Sequence, residues 1–210
     1  MEKWRFGAAL RTQQKRKRLL LELDGCILLK AFLLLFLSRQ TYIAQVTGVL
    51  ANRIVVKVKR LGGGFGGKET RSIQLAGISA VAAKKVKRPV RCMLNRDEDI
   101  ATSGARHPFL GVWKVGAMKD GRIVALEAEI FCNAGWTQDL SAAVSDRALS
   151  HIDNCYRIPN VDVRGRPCRT NTVSNTAFRG FGGPQGMFIA ESYMEEVADQ
   201  LNIPVDRLRV

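Results

Sequence analysis

Residues 110–132 read LGVWKVGAMKDGRIVALEAEIFC, and this stretch decides the fold class. Two runs within it, 110–118 and 123–132, favour β-strands and flank Asp120-Gly121, a dipeptide typical of a tight hairpin turn. Because a hairpin joins antiparallel strands, the sheet cannot be purely parallel. With the helical patterns on either side, the sequence predicts an α+β fold: a mixed sheet with flanking helices.

Patterns of apolar residues predict four further elements upstream of the hairpin. A helix over residues 43–49 ends near Gly48, and a β-branched run over 54–61 is typical of a strand. A helix over 73–86 is followed by a short strand over 90–94. The helix over 73–86 is expected to bury one face, formed by Leu75, Ile78, Ala82 and Val86.

The last predicted helix begins at Pro184, since proline is favoured in the first turn of a helix. Apolar residues then recur at helical spacing and are expected to line its buried face: Met187, Ala190, Met194, Val197 and Leu201.

The net charge of +14 raises the question of a nucleic-acid partner. Residues 1–39 hold nine Lys or Arg against three Asp or Glu, which concentrates +6 of the charge in one segment. The rest is scattered, with no aromatic residues interleaved to stack on bases. We therefore expect no nucleic-acid binding.

Composition divides the chain into residues 1–39 and residues 40–210. The first segment has a basic run at 15–18 and an apolar stretch, but its uninterrupted apolar part covers only 31–37. A membrane-spanning helix needs roughly 20 apolar residues. We expect this segment to be foreign to the domain that follows, and membrane association at the bilayer surface stays as an alternative.

Two glycine-rich turns are candidate ligand sites. The first glycine elbow, residues 62–67, precedes Lys68 and Glu69; it resembles a phosphate-binding loop but has Glu69 where that loop needs Ser or Thr. A nucleotide triphosphatase is therefore not expected. The second glycine elbow, residues 179–183, leads into the last helix. Each holds one Phe and exposes backbone N–H groups, which favours an anionic cofactor and a flat aromatic ligand. Two turns that serve packing alone are the alternative.

Four strings resemble the molybdopterin-binding region of the xanthine dehydrogenase and aldehyde oxidase family, in the family's order and spacing. They are VKRLGGGFGGKETRS (58–72), ARHPFLGVWKVGAMKDGRIVALE (105–127), DRALSHIDNCYRIPN (146–160) and SNTAFRGFGGPQGMFIAE (174–191). The resemblance runs from about Gln40 to the C-terminus, so it implies a partial molybdopterin-binding domain over residues 40–210.

The resemblance also implies roles for single residues. The residues expected to bind a purine substrate are Glu69, Leu140, Arg147 and Phe181, and those expected at the molybdenum–molybdopterin cofactor are Gly64, Phe65, Gly66 and Arg179. Phe65 and Arg179 would lie beside the molybdenum itself. Xanthine dehydrogenases have Glu and Arg at the positions of Glu69 and Arg147, whereas aldehyde oxidases differ there. The resemblance therefore favours hydroxylation of hypoxanthine and xanthine to urate.

Other parts of the family's machinery fall outside this sequence. The molybdenum-proximal glutamine position counts back to Leu34, and the general base, the 2Fe-2S clusters and the FAD and NAD sites lie elsewhere in family members. We expect a fragment that is inactive alone and works with the rest of an enzyme chain, as a homodimer in the cytoplasm or the peroxisome. The alternatives are an aldehyde oxidase fragment, or a non-catalytic remnant with a membrane-associating or disordered N-terminus.

Overall fold

A computed structural model describes residues 27–30, 36–57 and 62–209, with side chains described from residue 40 onward. Two compact units divide the chain, the first ending at Ser103 and the second beginning at Gly104. The first unit contains β1 (Ile27–Lys30), α1 (Phe36–Thr47), β2 (Ile54–Lys57), α2 (Ser72–Val86) and α3 (Arg96–Ser103). The second contains β3 (Phe109–Ala117), β4 (Ile123–Gly135), α4 (Ser141–Leu149), β5 (Asn160–Arg169), α5 (Gly183–Leu201) and α6 (Val205–Leu208).

The first unit is built on a parallel strand pair and two packed helices. β1 pairs with β2 in parallel, and α1 lies in the crossover that a parallel connection requires. α1 ends at Gly48, as predicted, where φ is +67° and the N–H donates to the Ala44 carbonyl. Ile43 and Ile54 are fully buried between α1, β2 and α2. The predicted strand over 54–61 is confirmed up to Lys57; residues 58–61 lie outside the described part of the chain.

The predicted buried face of α2 is wrong. Of Leu75, Ile78, Ala82 and Val86, Ile78 is 67% and Val86 54% exposed. The buried positions share small side chains: Ala76, Gly77, Ser79, Ala80 and Ala83. A Cβ added to Gly77 would lie 2.6 Å from Cε1 of Tyr42, so α1 approaches α2 too closely for large residues. Ile78, Val81 and Val86 therefore face outward.

The strand predicted over residues 90–94 is also wrong, because these residues pair with no strand in the described structure. The chain instead runs into α3, whose start carries a reciprocal cap. The Glu98 N–H donates to Asn95 Oδ1 at 2.9 Å, and the Asn95 N–H donates to Glu98 Oε2 at 2.9 Å. This capping box explains why a helix begins at Arg96.

The second unit contains the mixed sheet that the hairpin predicts. β3 and β4 are antiparallel, and β4 and β5 are parallel, in the order β3-β4-β5. The turn between β3 and β4 is tight, with Gly121 at φ +95° and its N–H donating to the Met118 carbonyl at 2.9 Å. α4 lies in the crossover between β4 and β5.

α5 covers one face of this sheet and forms the main core. Leu126, Ala128 and Ile130 of β4 are buried in one cluster with Tyr193 and Met194 of α5. The predicted buried face of α5 is confirmed at its centre, where Ala190, Met194 and Val197 are buried. Full burial of one such large side chain contributes roughly 1.5–3 kcal/mol. Among the described helices, none is both long and apolar enough to cross a bilayer.

Candidate functional site

The first glycine elbow has a strained, open backbone. Gly63, Phe65 and Gly66 have φ of +113°, +49° and +90°. The left-handed region costs a non-glycine residue roughly 1–2 kcal/mol, yet Phe65 adopts it and leaves its ring 62% exposed. The Glu69 N–H donates to the Gly66 carbonyl at 2.8 Å, which sets Glu69, itself half-buried, at the end of the turn.

Lys68 bonds back onto this elbow, where its Nζ donates to the Gly63 carbonyl at 2.7 Å. In a phosphate-binding loop the lysine reaches the phosphates instead. A Cβ added to Gly62 or Gly67 would meet no described atom within 4 Å. Within the described part of the chain, no close packing accounts for these two glycines.

The second glycine elbow shares part of its backbone conformation with the first. Gly180, Phe181 and Gly182 have φ of +94°, +50° and +96°, so a left-handed Phe again precedes a positive-φ glycine. Two turn bonds hold it: the Phe181 N–H donates to the Phe178 carbonyl at 2.7 Å, and the Gly183 N–H to the Gly180 carbonyl at 3.0 Å. Both elbows lead to a helix with no acidic residue in its first turn, an arrangement that favours anions.

Close packing places the second elbow against α4. A Cβ added to Gly182 would lie 2.1 Å from the Val144 carbonyl oxygen, and one added to Gly186 would lie 2.2 Å from the Ala148 carbonyl oxygen. The packing explanation therefore holds for these two glycines. Within the second unit, this contact joins the elements that carry four of the predicted site residues: Leu140, Arg147, Arg179 and Phe181.

These four residues differ in exposure. Arg147, in the last turn of α4, and Arg179 are exposed, while Leu140 and Phe181 are half-buried. Gly64, Phe65, Gly66 and Glu69 belong to the first unit, and Leu34 lies outside the described residues. The joint role of Glu69 and Arg147 therefore stays a prediction.

The contacts of a buried histidine near the start of α4 were not predicted from the sequence. His107 is 2% exposed, and its Nε2 lies 2.8 Å from Ser141 Oγ. Burial lowers the pKa of His107, and the nearby Asp139 carboxylate offsets part of that shift. Asp139 also accepts a hydrogen bond from Thr176 Oγ1 at 2.6 Å. This group ties the N-terminus of α4 to the segment that precedes the second elbow.

Arg106 is a second residue whose contacts were not predicted from the sequence. Its Nη2 donates to the Arg179 carbonyl at 2.9 Å, and its guanidinium carbon lies 4.7 Å from the centroid of the Phe178 ring. Both partners are more than 70 residues away in sequence, so no local pattern signals the contact. Its presence in the string ARHPFL was the one available signal.

The described residues offer no ready metal site of their own. Across residues 27–30, 36–57 and 62–209, no three His, Cys, Asp or Glu side chains are grouped closely enough to hold a metal ion. The described cysteines, Cys92, Cys132, Cys155 and Cys168, are free thiols.

Each unit carries one glycine elbow, and the mixed sheet with its flanking helices makes the second unit an α+β fold. The profile of the molybdopterin cofactor-binding domain matches residues 35–210, and the chain belongs to that family. The motif resemblance seen in the sequence is thereby confirmed.

Named relatives and solved structures agree with this family. The chain is 70% identical over 171 residues to xanthine dehydrogenase of Emericella nidulans, covering 81% of this chain and 12% of the relative. It is 59% identical over 170 residues to xanthine dehydrogenase/oxidase of Felis catus, covering 81% and 13%. It is also 56% identical over 173 residues to nicotinate hydroxylase hnxS of Emericella nidulans, covering 82% and 13%. The chain thus spans a small part of the length of these relatives.

The fold is shared with solved structures of two oxidoreductases. Aldehyde oxidoreductase from Desulfovibrio gigas superposes with a TM-score of 0.72 at 32% identity, over 81% of this chain and 18% of that one. Quinoline 2-oxidoreductase from Pseudomonas putida 86 gives 0.71 at 25% identity, over 82% and 22%. The predicted fold class is therefore confirmed.

Proposed function

We propose that this chain contributes part of the molybdenum-cofactor and purine site of a xanthine dehydrogenase-type hydroxylase, which converts hypoxanthine and xanthine to urate. The observation that carries the proposal is the packing of the second glycine elbow on α4, which joins Arg147, Arg179 and Phe181 in one unit. The 70% identity to a xanthine dehydrogenase supports the same reading.

The residues present fit a polar, anionic cofactor. Arg106 Nη1 and Gln185 Oε1, on either side of the second elbow in sequence, are buried and have no hydrogen-bond partner among the described residues. A buried polar atom without a partner costs about 1–3 kcal/mol, so a ligand that supplied the missing bond would be favoured. The open main chain at Gly62 and Gly67 fits close approach of a ligand in the same way. When bound, molybdopterin supplies the molybdenum centre at which a substrate carbon is oxidised.

The chain's own residues would bind and orient the purine. The Arg147 guanidinium is a permanent donor for a purine carbonyl oxygen, and the Glu69 carboxylate accepts from a ring N–H. A fixed cation also stabilises negative charge that develops on the ring during attack. The Phe181 ring offers a face on which a flat purine stacks. Arg179 and the Phe65 loop would lie at the cofactor.

The aldehyde oxidase alternative is disfavoured by Glu69 and Arg147. The nicotinate hydroxylase relative supports a second candidate substrate, a pyridine carboxylate, whose anionic group an arginine binds in bidentate fashion. In either case the activity requires the remaining parts of the enzyme: the general base, the 2Fe-2S clusters and the FAD site. A homodimer and a cytoplasmic or peroxisomal location remain part of the proposal.

A chimera tests the proposal. Residues 40–210 replace the matching segment of the Emericella nidulans xanthine dehydrogenase, and molybdenum content and urate formation are measured. We expect normal molybdenum content and urate formation within about tenfold of the parent, because a tenfold change corresponds to only about 1.4 kcal/mol. The 210-residue chain alone is expected to bind no molybdenum and to form no urate. If the chimera binds molybdenum but hydroxylates nicotinate and not xanthine, the proposed substrate is wrong, and a pyridine carboxylate takes the place of the purine.

A further inference from the structure

We propose that Arg106 is a positioning residue for the second glycine elbow: it holds the Arg179 carbonyl and the Phe178 ring, and so fixes the direction in which the Arg179 and Phe181 side chains leave the elbow. The backbone part of this inference stands on the structure. Its consequence for turnover rests on the proposed function.

The Arg106 guanidinium makes two contacts. Nη2 donates to the Arg179 carbonyl at 2.9 Å, and the guanidinium carbon lies 4.7 Å from the Phe178 ring centroid. A hydrogen bond from a charged donor is stronger than one between neutral groups, and a cation over an aromatic ring adds to it. One side chain therefore restrains two successive residues at the entrance to the elbow.

The backbone on both sides of Arg106 is itself held in place by hydrogen bonds. We call residues 105–107 the bracket. The Thr176 N–H donates to the Ala105 carbonyl at 3.1 Å, and the Ala105 N–H donates to Asn175 Oδ1 at 3.3 Å. The backbone on one side of Arg106 is thus bonded to the chain just before the elbow.

The other side of the bracket is bonded beyond the elbow. Gln185 Nε2, in the first turn of α5, donates to the His107 carbonyl at 3.3 Å. The His107 ring contacts Ser141 at the start of α4 through the 2.8 Å bond to its Oγ. The bracket therefore joins the residues before the elbow, the residues after it and the helix that carries Arg147, while the Arg106 side chain reaches the elbow itself.

The backbone conformation of the second elbow needs support from residues outside the elbow. Gly180, Phe181 and Gly182 all have positive φ, a region that disfavours the phenylalanine. The elbow's internal hydrogen bonds are accepted by the carbonyls of Phe178 and Gly180, so the Arg179 carbonyl accepts from Arg106 instead. Residues in sparsely populated backbone regions persist where their surroundings determine them. Arg106 supplies such a determinant beside the exposed guanidinium of Arg179 and the half-buried ring of Phe181.

The chemistry of arginine suits this role better than that of lysine. A planar guanidinium donates in its plane and stacks on a ring with its face, whereas a lysine ammonium is a compact charge on a flexible stem. R106K should therefore keep part of the restraint, and R106M should lose the hydrogen bond and the charge. R164M is the matched control, since Arg164 is an exposed arginine of the same unit that pairs with Asp162 two residues away.

Amide hydrogen exchange in the 210-residue chain tests the backbone part. The amides of Phe181 and Gly183 are followed in wild type, R106K, R106M and R164M, with amides of β3 and β4 as the internal reference. We expect R106M to speed exchange at the elbow by roughly tenfold, the scale of one hydrogen bond to a charged group, with R106K intermediate and R164M unchanged. Equal elbow exchange in R106M and R164M would overturn the proposal. If R106M also speeds exchange of the reference amides, R106K is the deciding variant. Faster exchange of R106K that is confined to the elbow amides supports the proposal, and elbow exchange equal to that of wild type overturns it.

Steady-state kinetics in the chimera separates this inference from the proposed function. Expressed per bound molybdenum, R106M should lower kcat/KM for xanthine by roughly tenfold or more, and R164M should not. An active chimera in which R106M leaves both kcat and KM unchanged would overturn the consequence for turnover. A chimera that forms no urate with wild-type Arg106 would instead contradict the proposed function, and the exchange result would still decide the role of Arg106.

Discussion

For the substitution G186A, helix propensity and packing predict opposite changes in the free energy of unfolding. In an isolated helix, replacing glycine by alanine stabilises by about 1 kcal/mol. Gly186 lies in the first turns of α5, and a Cβ there would lie 2.2 Å from the Ala148 carbonyl oxygen of α4. A carbon and a carbonyl oxygen need about 3.3 Å. G186A therefore requires α4 and α5 to separate by about 1 Å at a point where backbone, not a flexible side chain, is in the way.

The magnitude follows from these two terms. Overpacking a well-packed contact costs about 1–3 kcal/mol, and a backbone obstacle places G186A at the upper end, near 3 kcal/mol. Subtracting the gain of about 1 kcal/mol in propensity leaves a net loss of about 2 kcal/mol. For an m-value of about 2 kcal/mol per M of urea, this loss lowers the unfolding midpoint by about 1 M.

Urea unfolding of the 210-residue chain, followed by circular dichroism, measures this change. Because the chain has two compact units, exchange of the β4 amides is followed as well, so that the loss is assigned to the second unit. G67A is the matched control, since a Cβ at Gly67 meets no described atom within 4 Å, and its free energy of unfolding should change by less than about 0.5 kcal/mol. An unchanged or raised midpoint for G186A would refute the packing argument for the contact between α4 and α5.

Two further predictions concern pH and substrate choice. Because burial lowers the pKa of His107, the fold favours the neutral ring; the stability it contributes is present above the ordinary histidine pKa of about 6.5 and is lost as pH falls below it. The urea midpoint should therefore fall between about pH 7.5 and 5.5 by more in wild type than in H107Q, and equal slopes would contradict this assignment. In the chimera, Glu69→Val and Arg147→Met should each lower xanthine turnover by roughly tenfold or more and spare or raise aldehyde turnover. Parallel losses on both substrates would show that these residues do not select the purine.

Local signals explain which parts of the fold the sequence could predict. The Asp120-Gly121 turn and the proline start of α5 act over a few residues, and both elements form where predicted. β5 was missed because it is a largely exposed strand, with alternating charges and Pro167, that pairs in parallel with the distant β4. The wrong face of α2 has the same origin, since the close approach of Tyr42 overrides the preference for burying large residues.

The candidate site was predictable to a similar extent. Both glycine elbows stand out because positive φ and close approach select glycine in the sequence itself. The contacts of Arg106 and His107 were not predicted because they join residues far apart in the chain, such as the Arg179 carbonyl and the Ser141 hydroxyl. Sequence patterns identify strained backbone more readily than the side chains that hold it.

The outward face of α2 has a practical consequence for anyone who purifies this polypeptide. Ile78, Val81 and Val86 present branched hydrocarbon to water on one helix, with exposures of 67%, 43% and 54%. Apolar side chains exposed on one helix promote self-association of a protein in concentrated solution. Preparations of the 210-residue chain should therefore be kept dilute, or carry a fused solubility partner, before any spectroscopic measurement is attempted.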